Sequence, residues 1–230
     1  MQKIKLWDLP TRLFHWLLVA AIAALFVTGK VGGNYMVWHG KLGILVVGLV
    51  VFRLVWGFVG STYARFWQFF PSPARILAYL RGQWHGEGHN PLGALSVFAL
   101  LTLAGAQATL GLFTTDDIAF SAPLFPLIEA ELAGRLTGFH HQLANVLLVF
   151  IGLHVASIVF YARVKKNNLL LPMLTGWKNV EQGESARGGG IVALALALTL
   201  AALALYAASG QWIPEPPPPP PAEEAPVFNF

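Results

Sequence analysis

The amino-acid sequence predicts an all-α integral membrane protein. Three observations lead there: charged residues are scarce, apolar stretches of spanning length recur five times, and basic residues collect on one side of those stretches. Of 230 residues, 56% are hydrophobic and 11% charged, and the mean hydropathy is +0.60. Soluble domains carry about 25% charged residues, so lipid is the expected solvent.

A spanning helix needs about 20 mostly apolar residues. The stretches at 13–29, 41–60, 92–113, 140–161 and 191–208 meet or approach that length. The third holds no charge at all. The fifth, IVALALALTLAALALYAA, reads as a plain lipid anchor. Glycine and proline bracket the spans, as in GKVGGN, PSP and SARGGG. The N-terminal run lacks a small-residue cleavage site and reads as a retained helix rather than a signal peptide.

With the N-terminus inside, the inner segments hold Lys3, Lys5, Arg12, Arg65, Arg75, Arg81, Arg163, Lys165, Lys166, Lys178 and Arg187, eleven basic residues in all. The outer segments hold only Lys30, Lys41 and Arg135. Acidic residues lean the other way, four inner against seven outer. The positive-inside rule therefore sets the N-terminus in the cytoplasm and the C-terminus on the outer, periplasmic side. The same asymmetry explains the pI of about 9.5 without nucleic acid as a partner. The tail WIPEPPPPPPAEEAPVFNF reads as an extended polyproline arm on the outer face, either a solvated tail or a docking segment. The expected segments are 1–180 for a four-helix bundle, 181–210 for a linker and fifth helix, and 211–230 for the tail.

The chain has no cysteine. That excludes disulfides, thiolate metal sites and covalently attached c-type haem, and leaves histidine as the main metal ligand. Five of seven histidines fall in or at the mouths of spans: His15, His39, His140, His141 and His154. His140 and His154 are 14 residues apart, which brings them within about 40° of one helix face and separates them by about 21 Å along the axis. His141 lies nearly opposite His154. One metal cannot bridge such a gap, whereas two haems at two depths can. Depth then pairs His39 with His140 near the outer face and His15 with His154 toward the inner one. A zinc-type site would gather its ligands at one depth.

Two arginines accompany these pairs. Arg53 lies 14 residues below His39 on the same face. A charge there either pairs with an acid such as a haem propionate or snorkels to headgroups. Arg12, beside His15, is a second candidate. Glycines 43, 48, 105, 111 and 152 either admit a flat macrocycle or serve close helix packing.

Several segments together resemble one family. They are WDLPTRLFHW, WHGKLG with Arg53, GHNPLGA, TTDDIAF, and GFHHQLANVLLVFIGLH followed by NLLLPMLTG. They resemble the bacterial cytochrome b561 and nickel–iron hydrogenase cytochrome b group over roughly residues 5–180. The resemblance implies a four-helix transmembrane bundle with two b-type haems, here extended by a fifth helix and the proline-rich tail. The matching motifs carry the ligand role to His15, His39, His140 and His154, and leave His85, His89 and His141 without it. It also implies electron exchange with membrane quinone and with a periplasmic partner, a c-type cytochrome or a dehydrogenase subunit of a respiratory oxidoreductase. The alternatives are a stand-alone superoxide:quinone oxidoreductase and a non-redox membrane protein.

Overall fold

The computed structural model describes residues 1–116 and 118–214. Asp117 and the tail from residue 215 onward lie outside the described residues. Five helices are long and apolar enough to cross a membrane: α1 (Leu9–Val31), α2 (Met36–Val59), α5 (Pro91–Gly111), α6 (Ala130–Arg163) and α8 (Ile191–Ala208). Three short helices lie between them: α3 (Phe66–Phe69), α4 (Pro73–Leu80) and α7 (Leu170–Thr175).

Helix starts follow local chemistry. Asp8 caps α1, its carboxylate accepting from the Thr11 N–H, with Pro10 in the first turn. Asn90 caps α5 in the same way through the Gly93 N–H, with Pro91 following. Both caps use a short polar side chain on an otherwise orphaned donor, and both prolines sit where no N–H is needed.

The central element is α2, which packs against α1, α5 and α8, while α6 packs on α5. Its buried face carries Val46, Val50, Phe52 and Trp56. Helix α8 is not a free lipid anchor. Ala197 and Ala201 join the cluster of Phe14, Phe52 and Trp56, and Leu205 lies so close to Gly48 that a Cβ there would stand 2.6 Å from its Cγ. Small residues bring the two backbones together, as expected where lipid gives no hydrophobic drive between helices.

Two differences from the sequence expectations matter. First, α6 starts at Ala130, ten residues before the expected span, and its 34 residues reach about 51 Å. Second, residues with no expected regular structure form a two-stranded clasp. Strand β1 (Gln2–Lys5) pairs antiparallel with β2 (Trp177–Val180), Gln2 opposite Val180 and Lys5 opposite Trp177. Ile4 and Val180 turn inward onto Leu6 and Trp7, and Lys3 and Lys5 face out. The clasp end of the bundle is closed further by the Lys178–Glu87 ion pair at 2.9 Å and by Thr62 bonding Arg187.

Candidate functional site

Of the five histidines singled out from the sequence, His39 and His140 meet ring to ring, His15 and His154 are electrostatic neighbours, and His141 stays outside. His39 on α2 and His140 on α6 face each other near the end away from the clasp, ring centroids 6.1 Å apart and planes at 80°. His15 on α1 and His154 on α6 are electrostatic neighbours nearer the clasp. His141 is exposed, as is His85. The ring-to-ring neighbours His39 and His140 are the two that depth placed at one level.

Neighbouring helices fix the tautomers. His39 Nδ1 lies 3.1 Å from the Leu25 carbonyl oxygen and 3.3 Å from Thr28 Oγ1. A carbonyl only accepts, so Nδ1 carries the proton and Nε2 keeps its lone pair. His140 makes the same Nδ1 bond on α5, donating to the Gln107 carbonyl at 3.1 Å; its Nε2 accepts from the Gln107 side-chain amide at 3.1 Å, a bond that a metal on Nε2 would replace. Ser96 Oγ stands 3.3 Å from His154 Nδ1. His15 Nδ1 is buried without a partner among the described residues.

The residues fit a haem. Two imidazoles on opposite sides of one metal, each with its nitrogen about 2.0 Å away, have ring centres about 6 Å apart. His39 and His140 have that spacing. Among the described residues no three His, Asp or Glu gather as a metal cluster, so each histidine pair lacks the further ligands a closed transition-metal site requires and a macrocycle provides. Helix α6 has no backbone packing against α1 or α2 comparable with its packing on α5. The histidines face one another across that separation.

The glycines divide by role. A Cβ on Gly29 would stand 3.0 Å from His39 Cε1, and one on Gly111 would stand 2.9 Å from His140 Cε1. These two seat the imidazoles themselves, and Gly29 escaped the sequence reading. Gly48 serves helix packing, Gly105 touches Val50 at 3.4 Å, and Gly43 and Gly152 face open space. Gly111→Ala is expected to push His140 off its Gln107 bond and lower haem retention at that pair several-fold, read as haem per polypeptide after detergent washing.

Arg53 is 3% exposed. Its guanidinium lies over the Phe66 ring at 4.6 Å, and Nη1 has no hydrogen-bond partner among the described residues. It therefore does not snorkel. Arg12 donates from Nη1 to the Thr175 carbonyl at 3.1 Å, and its Nε is buried without a partner. Sequence reasoning set His89 aside as a turn residue. Its ring is held between Trp7 and Phe69, at 4.6 and 4.4 Å, beside Arg53, His154 and His15. Burial first, then the Arg53 charge, holds its imidazole down at about 3, so it is neutral. It also lines a cavity of about 340 Å³ with Tyr63, His85 and Glu87.

Comparison with known proteins places the chain in a family. The family described as prokaryotic cytochrome b561 matches residues 6–176. The chain is 24% identical over 220 residues to a protein of Azotobacter chroococcum mcd 1 named "Probable Ni/Fe-hydrogenase B-type cytochrome subunit", covering 76% of this chain and 88% of that one. It is 25% identical to a protein of the same name from Azotobacter vinelandii, with the same coverage. A protein of Escherichia coli strain K12 named "Probable Ni/Fe-hydrogenase 1 B-type cytochrome subunit" is 26% identical over 129 residues, 43% of this chain and 54% of that one. No solved structure matches the chain. A match spanning most of the chain, over a helical bundle of paired histidines, decides the class: this chain belongs to the prokaryotic cytochrome b561 family, membrane b-type cytochromes that bind haem and transfer electrons.

Proposed function

We propose that the chain holds two haem b groups, one between His39 and His140 and one between His15 and His154. In this reading it moves electrons across the bacterial inner membrane between the quinone pool and a periplasmic redox partner. The observation that carries it is the 6.1 Å spacing of the His39 and His140 rings, reached by two helices that each pin Nδ1 to a neighbour's carbonyl. Haem held there by the two imidazoles would supply a one-electron couple for electron transfer. The chain's own residues keep each imidazole neutral and oriented. Arg53, and Arg12 with its remaining nitrogens, are the cations assigned to the propionates.

The basic residues support a cytoplasmic clasp end and N-terminus, and a periplasmic end for His39, His140 and the C-terminus. The names of the relatives favour a hydrogenase-type dehydrogenase subunit as the partner over a c-type cytochrome. The purified chain is expected to carry two haems per polypeptide, to be reduced by quinol or through its partner, and to be inert toward superoxide. One haem per chain, or superoxide oxidation coupled to quinone without any partner, would overturn this reading.

A further inference from the structure

Two polar groups at the clasp end share one deficiency. Arg53 is buried at 3% exposure, and among the described residues no carboxylate lies within ion-pairing distance of it. The acid near it, Asp8, is already engaged: Oδ1 accepts from the Thr11 N–H, and Oδ2 accepts from Trp56 Nε1 and Ser61 Oγ. His89 Nδ1 is likewise buried with no partner, and its ring is immobilised between Trp7 and Phe69. The two residues are electrostatic neighbours of each other, and His89 also neighbours His15 and His154.

An unpaired guanidinium inside a membrane bundle is costly, and so is an orphaned ring nitrogen. One anion relieves both. A carboxylate offers four lone-pair positions, enough for a bidentate arginine and an imidazole N–H together. We propose that Arg53 and His89 form a single carboxylate site that holds a propionate of the prosthetic group carried by His15 and His154, a proposal that rests on the two-haem reading above. His89, absent from the ligand set, becomes a positioning residue for that group. Phe66 beneath the guanidinium, with Trp7 and Phe69 around the imidazole, fixes both donors in advance, so little side-chain freedom is lost on binding.

The full-length chain tests this with Arg53→Gln, Arg53→Lys and His89→Gln, read by resonance Raman and redox titration. Each variant is expected to retain two haems and to shift the propionate bending band of one haem only. Removing the arginine charge should make reduction of that haem roughly tenfold less favourable, a fall of about 59 mV for one electron. The lysine variant should fall less. Haem with both propionates esterified removes an anion where Arg53→Gln removes a cation, so it should raise the potential in the unmodified chain and leave no propionate bending band for Arg53→Gln to shift. Where Arg53→Gln disturbs assembly, His89→Gln and Arg53→Lys carry the test. Unchanged bands and potentials in variants that hold both haems overturn the carboxylate site and leave the histidine ligands standing. Retention of both haems by His15→Ala overturns the ligand reading instead.

Discussion

Replacing His140 with alanine is expected to leave a folded protein with one haem in place of two. The imidazole is seated by Gly111, its Nδ1 bonded to the Gln107 carbonyl, and its partner ring is 6.1 Å away on α2. Alanine removes the donor without touching the α5–α6 packing that holds α6 in place. His141 is no substitute, since one residue turns the helix by about 100° and its ring sits on the exposed side. His39→Ala should remove the same haem, and His15→Ala or His154→Ala the other. His141→Ala should keep both. Pyridine haemochrome quantitation per polypeptide reads these outcomes directly, and loss of haem in His141→Ala would overturn the assignment.

The second large effect is expected from Asp8→Ala, through stability. One carboxylate closes three donors: the Thr11 N–H at 2.6 Å, Trp56 Nε1 at 3.1 Å and Ser61 Oγ. Loss of the helix cap costs about 1 kcal/mol. The indole N–H of Trp56, which is 1% exposed, is then buried without an acceptor, at about 1–3 kcal/mol more. Thermal unfolding in detergent should register a destabilisation of about 2–4 kcal/mol. Asp8→Asn keeps one acceptor oxygen for the Thr11 N–H but turns an N–H donor toward Trp56 Nε1, so it should recover the cap and not the indole's acceptor. An unchanged midpoint in Asp8→Ala would mean that this network does not hold α1 to α2.

The five spans and the facing of His39 and His140 were legible because their signals are local. A hydropathy window sees a span, and the turn of an α-helix separates His140 from His141 without knowledge of the fold. The start of α6 was misplaced for a related reason. The sequence AELAGRLTGF is too polar for a span, although its Ala, Glu, Leu and Arg favour helix and its Glu131–Arg135 pair has i,i+4 spacing. That pair was the available signal. The clasp had none: a four-residue strand whose partner lies some 175 residues away leaves no mark in either segment alone. His89 was hidden similarly, since its value comes from Trp7, Phe69 and Arg53, which converge on it from three separate elements. Gly29 was overlooked because only the fold shows which small residue sits beneath an imidazole.

The long-range pairing of β1 with β2 imposes an order on biosynthesis. A ribosome adding about 5–20 residues per second releases Gln2–Lys5 roughly 9–35 s before Trp177–Val180 exists to receive it. For that interval the amino-terminal edge is unpaired at the membrane surface, where the outward Lys3 and Lys5 guard it against adventitious strand addition. Only when β2 emerges does the beginning of the polypeptide become tied to the far side of its fourth span, so every nascent chain shorter than about 180 residues leaves that join unmade.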